Sequence, residues 1–345
     1  MNHRKRWAFT LLVLFALALT LGTFVQQAEA AKPKYQWRMA QVHPVDSDFD
    51  IRAKEFARKV FERTDGQIKI DVFSGGVLGD WTETFEMLMR GTIELNVAQA
   101  NSNFDPKLNL AYYFPYVVKD IEEAKKAYGP EGWAFDIIKD LWATHNIKAL
   151  AVLPIGMSGV SLSKKPDNYA DPTVSKGMKV RVMPIKPCEA TYEALGYIPT
   201  PIPYAEAYSA IQTGIANGQM GGPPFQAWQF KDVNKVWIQY NDYFESWWFS
   251  INMDVWNKLT PEEQGIIQQA ANEESLIRWD NVAKEDEEYR QKLHNEYGWE
   301  IVILTPEELE NCAKVVRQKV WPKMEELVGK DIMDRVYEGS GVPRQ

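Results

Sequence analysis

The residues best suited to chemistry lie on one short segment, in which Lys179 and Arg181 alternate with Val180 and Val182. Successive side chains of a strand point to opposite faces, so the two cations share one face and the two valines share the other. A guanidinium on the polar face could hold a carboxylate through two parallel charge-assisted hydrogen bonds, which a lysine cannot reproduce. The alternative is an internal ion pair with a protein carboxylate such as Glu206. The segment therefore predicts either an anion-binding arginine or an ordinary ion pair.

Residue patterns typical of catalysis are missing from the rest of the chain. His43, His145 and His294 form no HExxH pattern and none adjoins a cysteine, so no zinc site is predicted. The segment 156–160 resembles a nucleophile elbow but lacks its second glycine. The glycine-rich segment 75–79 is neither a phosphate loop nor a dinucleotide fingerprint. We therefore predict no enzyme, no metal site and no cofactor.

The first thirty residues have the order of a secretory signal peptide. A basic cluster at 3–6 precedes an apolar run over 7–25, and Ala28 and Ala30 supply the small residues that a signal peptidase requires. An uncleaved anchor helix is the alternative, but polar residues and glycine dilute the run, and a membrane span usually needs about 20 mostly apolar residues. We expect cleavage after Ala30 and a periplasmic protein.

Composition restricts the class of partner. The chain has 345 residues, long enough for about two domains. Its 39 basic and 47 acidic side chains give a formal net charge of −8, which argues against a nucleic-acid partner because phosphate binding requires a basic face. In an oxidising compartment Cys188 and Cys312 could form a disulfide, but two buried thiols are an equal alternative.

Strands and helices alternate along the chain, which indicates α/β domains with parallel sheet. The first set has strands near 35–40, 67–73 and 93–98, with helices near 51–64 and 81–90. The second set begins near Ile155, with a strand at 178–182 and helices at 187–195 and 206–213.

A long helix is predicted to begin at Thr260-Pro261-Glu262-Glu263. The threonine can cap the helix, the proline fits its first turn, and Glu263 can complete a capping box. Nothing interrupts the helical pattern before about Asn295, and such a helix would extend roughly 50 Å. That length exceeds the diameter of one domain, so the helix is expected to brace two. Thr305-Pro306 predicts a second helix that begins in the same way, near the C-terminus.

The order and spacing of several short motifs resemble the extracytoplasmic solute-binding proteins of TRAP (tripartite ATP-independent periplasmic) transporters, in their DctP-like branch. The resemblance covers essentially the whole chain beyond the leader. Its motifs are the helix 53–64, the segment 64–70, the turn 76–79, the strand segment 177–182, Leu195-Gly196, the helix 206–214 and the segment 217–219.

This resemblance implies a fold and a partner. The fold is an α/β, two-lobed periplasmic-binding-protein clamshell with crossing strands and a long helix spanning both lobes. Lobe I would comprise 31–155, with 247–284 returning to it, and lobe II would comprise 156–246, with 285–345 returning to it. Such a receptor captures a small organic acid between its lobes and delivers it to the integral-membrane subunits of a TRAP transporter.

The resemblance also assigns binding residues. Arg181 matches the arginine that holds the ligand carboxylate in this family. Other positions fall where family members line the cleft, several of them at strand ends, where open α/β sheets bind ligands. These are Gln41, His43, Trp81, Gln99, Asn101, Tyr204 and Trp247. Each aromatic has core packing as its alternative, and His43 is favoured as a neutral hydrogen-bonding residue.

Two departures from the family pattern bear on the ligand. Ser158 stands near the position of a second arginine that some members carry, and Met220-Gly221 replaces an acidic residue followed by asparagine. A second ligand carboxylate would lack an obvious cationic partner, whereas Gly221 leaves room for bulk or a backbone contact. We therefore expect a monocarboxylate, bulky, keto-substituted or aromatic, in preference to a C4-dicarboxylate. A ligand-sensing receptor for a membrane kinase is the alternative function, since it would need the same clamshell.

Overall fold

The computed structural model describes residues 32–344, and the predicted signal peptide therefore lies outside the described residues. The strands are β1 Tyr35–Gln41, β2 Ile68–Phe73, β3 Leu95–Ala98, β4 Ile147–Met157, β5 Val160–Leu162, β6 Lys179–Val182, β7 Ile198–Pro201, β8 Gly218–Met220, β9 Val236–Gln239, β10 Phe244–Asn252 and β11 Glu300–Ile303. The helices are α1 Asp48–Arg63, α2 Trp81–Met89, α3 Asn109–Tyr112, α4 Ile121–Tyr128, α5 Trp133–Ala143, α6 Lys186–Ala194, α7 Tyr204–Gln212, α8 Pro224–Trp228, α9 Met253–Trp256, α10 Pro261–Tyr297, α11 Pro306–Val328 and α12 Lys330–Ser340, and a 3₁₀ turn covers Pro106–Leu108.

The strands form two separate sheets, as expected for two α/β lobes. The first sheet has the order β2-β1-β3-β10-β4, with β1 parallel to β2 and β3, and with β10 antiparallel to both of its neighbours. The second has the order β11-β9-β5-β8-β6-β7, with β6 parallel to β7 and β8. The predicted strands at 35–40, 67–73, 93–98 and 178–182 are all confirmed, with ends shifted by at most two residues.

Two neighbouring chain segments connect the sheets. One joins β4 to β5 through Ser158, and the other joins β9 to β10 through Asn241 and Tyr243. They run side by side, because the Ser158 amide donates to the Tyr243 carbonyl at 3.0 Å and the Asn241 amide donates to the Ser158 carbonyl at 2.9 Å. Such a paired crossing is a natural place for a hinge between two lobes.

Helix α10 is the predicted brace. Its 37 residues extend roughly 55 Å at 1.5 Å per residue. The Thr260–Glu263 capping box is present at its start, and Gly298 ends it in the left-handed conformation (φ 65°). The helix packs on β4 and α1 of the first sheet and on α8 and β11 near the second. The prediction of a long helix that contacts both halves is therefore confirmed.

The C-terminal helices pack beside both halves. Helix α11 contacts α6 and the 3₁₀ turn at 106–108, and α12 contacts α5. The residue boundaries of the two lobes remain our proposal. Both cysteines are free and buried, so the alternative of two buried thiols holds. Within residues 32–344, no helix is both long enough and apolar enough to cross a membrane.

Candidate ligand-binding cleft

A cleft of about 670 Å³ is lined by residues of both sheets. Eight of the ten sequence-predicted site residues line it: His43, Trp81, Gln99, Asn101, Arg181, Tyr204, Gly221 and Trp247. The first sheet's side contributes loops that follow β1 and β3 and the start of α2. The second sheet's side contributes the segments that follow β6, β7 and β8.

Arg181 is a buried cation that faces this cleft. Strand β6 lies between β7 and β8, and the residue as a whole is 2% exposed. Its Nε donates to the Ile202 carbonyl at 2.8 Å, and the guanidinium carbon lies 5.5 Å from the Tyr204 ring centre. Burial lowers the pKa of Arg181 from its ordinary value. Among residues 32–344 no carboxylate lies within 4.0 Å of the guanidinium, so Glu206 is not its ion-pair partner.

The opposite wall of the cleft carries amide and imidazole groups. Asn101 is 1% exposed; its Oδ1 accepts from the Asn103 amide at 2.9 Å, whereas its buried Nδ2 has no partner in the described part of the chain. His43 stacks on Phe49 and contacts Trp247, each with its ring centre 4.2 Å away. Burial lowers the pKa of His43 to about 4, so its imidazole is neutral near pH 7.

Aromatic rings make up much of the remaining surface. Trp81, the first residue of α2, stacks on Tyr112 with ring centres 5.6 Å apart. Tyr204 begins α7, and its hydroxyl donates to Gln229 Oε1 at 2.6 Å. Trp247 lies on β10 and is nearly buried. A large apolar ligand surface could be covered by these rings.

Two predicted site residues lie behind the cleft surface. Gln41 is buried, with its Nε2 3.3 Å from Asp50 Oδ1, and its Oε1 accepts from the His43 amide, so it supports the loop that holds His43. Ser158 is fully buried in the crossing segment, where its hydroxyl donates to Asp242 Oδ1 at 2.7 Å. The structure therefore brings neither side chain to the surface of the cleft.

Glu245, on β10, was not anticipated from the sequence, although it lines the cleft. It is 6% exposed and accepts from Gln226 Nε2 at 2.8 and 2.9 Å through its two oxygens, and from Gln99 Nε2 at 3.2 Å. Burial raises the pKa of Glu245 to about 7. A sequence signal existed, because Glu245 is the one charged residue in a strand rich in aromatic side chains.

Gly221 and Gly222 shape the wall below β8. Both have positive φ, 108° and 63°, a region that favours glycine. A Cβ on Gly222 would lie 2.1 Å from Gln226 Oε1, so this glycine allows the Gln226 side chain to reach Glu245. Among the described residues, no group of three His, Cys, Asp or Glu side chains could hold a metal ion.

Comparison with known proteins assigns the chain to a family. A sequence model of the bacterial extracellular solute-binding proteins of family 7 (DctP) matches residues 39–327. The 2,3-diketo-L-gulonate-binding periplasmic protein YiaO of Escherichia coli K12 is 26% identical over 241 residues, which are 69% of this chain and 72% of that protein.

Solved structures share the fold. A TRAP periplasmic solute-binding protein from Ochrobactrum anthropi superposes with a TM-score of 0.79 at 24% identity, covering 90% of this chain and 95% of that one. Another, from Roseobacter denitrificans with bound β-D-glucuronate, has a TM-score of 0.76 at 23% identity and covers 90% and 100% of the respective chains. The chain has the same two-lobed α/β fold. It therefore belongs to the DctP family of bacterial extracellular solute-binding proteins, the periplasmic receptors of TRAP transporters, which are not enzymes.

Proposed function

We propose that this receptor binds a small organic acid in the cleft described above, with the acid's carboxylate on Arg181, and that it delivers the acid to the membrane subunits of a TRAP transporter. One observation carries the proposal: Arg181 is a buried cation that lines the cleft and has no acidic partner among the described residues. Removing a charge from water is costly unless it is paired, so a ligand anion is the natural partner.

The ligand is a monocarboxylate with bulk beyond its acid group. Arg181 is the only Lys or Arg side chain among the described residues that line the cleft, so a second carboxylate would meet no second cation there. The acids named for related proteins, among them 2,3-diketo-L-gulonate, β-D-glucuronate and succinate, support an organic acid as the ligand class. Trp81, Tyr112 and Trp247 provide rings that could cover a bulky or aromatic ligand.

Calorimetry tests the role of Arg181. A thermal-shift screen of mono- and dicarboxylates first identifies an acid that binds the wild-type protein. Arg181→Lys should then weaken its binding by about 100-fold, because lysine cannot form the paired hydrogen bonds of a guanidinium. Lys179→Ala is the matched control, since Lys179 lies exposed on the same strand and its removal should leave affinity unchanged.

Two outcomes would contradict the proposal. Unchanged affinity in Arg181→Lys would remove Arg181 from the binding site. Selective stabilisation by succinate, without stabilisation by monocarboxylates of similar size, would overturn the assignment of a monocarboxylate.

A further inference from the structure

A second charged group lines the cleft, and it has the opposite sign to Arg181. The Glu245 carboxylate lies on β10, at the crossing side of the first sheet, whereas Arg181 lies on β6 of the second sheet. Among residues 32–344, no lysine, arginine or histidine forms a salt bridge with Glu245. The cleft therefore presents a buried cation and a buried acid, neither of which has an ion-pair partner among the described residues. The other acid that lines it, Asp80, is exposed and caps α2 by accepting from the Thr82 and Glu83 amides.

Both groups act on the same part of the cleft. The phenols of Tyr112 and Tyr204 line it. Burial raises the pKa of both phenols. The charge of Glu245 raises these two pKa values further, and the charge of Arg181 lowers them. Both rings and both charged residues line the same cleft, so a ligand that fills it would lie among all four side chains.

The partners of Glu245 are all neutral side chains. The amides of Gln226 and Gln99 make three contacts with its carboxylate, and the Tyr243 hydroxyl is a further neutral hydrogen-bond partner. These amide donors are neutral and come from both sides of the cleft, so they position the acid without neutralising it. A buried carboxylate without a cation gains most from a donor that arrives with the ligand.

We propose that Glu245 determines specificity, selecting an acid that also carries a hydroxyl or ammonium donor and rejecting a second carboxylate. This inference rests on the proposed function, because Arg181 must take the ligand's carboxylate for Glu245 to meet its donor. When Glu245 is ionised, a donor-free ligand would leave its buried charge without compensation, and a dicarboxylate would place like charges together. A site built to receive a donor can reject an analogue without it by a large factor.

Two sets of matched acids test the proposal, because within each set only one substituent changes. The first set varies the α-substituent of a bulky acid: 3-phenyllactate, phenylalanine, phenylpyruvate, 3-phenylpropanoate and benzylmalonate. The second varies a terminal group: 5-hydroxypentanoate, 5-aminopentanoate, pentanoate and glutarate. Affinity is measured by calorimetry for the wild-type protein, Glu245→Gln, Asp242→Asn and Arg181→Lys.

In at least one set, the hydroxyl or ammonium member should bind the wild-type protein at least tenfold more tightly than the donor-free and dicarboxylate members. Glu245→Gln should reduce that preference to less than about threefold. Asp242→Asn is the matched control, since Asp242 is an equally buried acid that does not line the cleft. It should change stability and leave the ratio between ligands intact. The measured quantity is the ratio of the affinities of two ligands for the same folded variant. A loss of stability in Glu245→Gln therefore cannot produce the expected loss of preference.

Three results would overturn the inference. They are equal binding of the donor-free acids, a preference that survives in Glu245→Gln, or binding that requires added sodium or calcium, which would make Glu245 a cation ligand. If Arg181→Lys abolishes binding while Glu245→Gln preserves the preference, the inference alone fails. If no acid binds, or if Arg181→Lys binds the acid with normal affinity, both the inference and the proposed function fail.

Discussion

Two regions of this protein bury charge in different ways. Where α10 packs on α1, Arg278 is 1% exposed, with Asp48 and Glu285 oxygens 3.1 and 2.8 Å from its guanidinium nitrogens. In the cleft, Arg181 is equally buried, yet its described protein partner is the carbonyl of Ile202.

The acids of the two regions differ in the same way. Glu274, on α10, lies 2.8 Å from Arg52 Nη1 and 2.7 Å from Lys59 Nζ. Glu245, in the cleft, has only neutral partners among the described residues, which are the amides of Gln99 and Gln226 and the hydroxyl of Tyr243. Burial itself therefore does not distinguish a binding site from a structural network. A buried charge that lacks a counter-charge and borders open space does mark a binding site, because the ligand can then supply the missing partner.

The largest effect is expected where the charge is internally paired. Arg278→Met should lower the free energy of unfolding by about 3 kcal/mol, since it leaves Asp48 and Glu285 without their shared cation and removes the donor to the Pro154 carbonyl. Urea unfolding measures this change. Ligand affinity should stay within about threefold of wild type. A loss below about 1 kcal/mol would break the comparison, because the network would then contribute little.

Arg181→Met should show the opposite pattern. Without ligand, the free energy of unfolding should change by about 1 kcal/mol or less, because no carboxylate of the described chain loses a partner. The ligand-induced stabilisation should disappear, whereas a saturated wild-type protein gains about 2.7 kcal/mol at a ligand concentration of 100 Kd. Unfolding of both variants with and without ligand measures the contrast. A large destabilisation of the free variant would mean that Arg181 is structural.

Gly222→Ala tests how the cleft positions its acid. The new Cβ would overlap Gln226 Oε1 and should displace that side chain from Glu245, and the left-handed backbone adds about 1–2 kcal/mol of strain. Gly214→Ala is the matched control, since Gly214 has φ 78° and nothing within 4 Å of its added Cβ. Both variants should lose similar stability, but Gly222→Ala alone should weaken ligand binding. Equal affinities would show that Gln226 does not position Glu245.

The sequence predicted the elements better than the details of the cleft. Local signals were sufficient for α10, because the Thr260 capping box and Gly298 mark its two ends. They also placed Arg181 on the correct strand. Ser158 could not be distinguished from a cleft residue, because its hydrogen-bond partner Asp242 lies 84 positions later in the chain. Glu245 was missed because a single acid in a strand is a weak signal until the strand's neighbours are known.

The smallest effect expected is a pH dependence of binding that separates the two regions. Burial raises the pKa of Glu245 from 4.5 to about 7, so the group binds its proton more tightly in the free folded protein than in the unfolded chain, and its contribution to stability is lost as the pH rises from about 4.5 to about 7. A donor-bearing ligand prefers the charged form of Glu245. Its affinity should therefore fall by up to about tenfold between pH 8 and pH 6, as Glu245 takes up a proton.

The other cleft residues whose pKa is shifted should not titrate in this range. The pKa of His43 is lowered to about 4, and burial raises the pKa of Tyr112, Tyr204 and Tyr243. Asp242 and Asp286, away from the cleft surface, have pKa values raised by burial to about 6 and about 8, so they affect stability in the same window. Glu245→Gln separates the two effects, because it should abolish the pH dependence of affinity while that of stability persists in part. An unchanged pH profile of binding in this variant would mean that another acid is responsible, and that Glu245 is buried for structural reasons as Glu274 is.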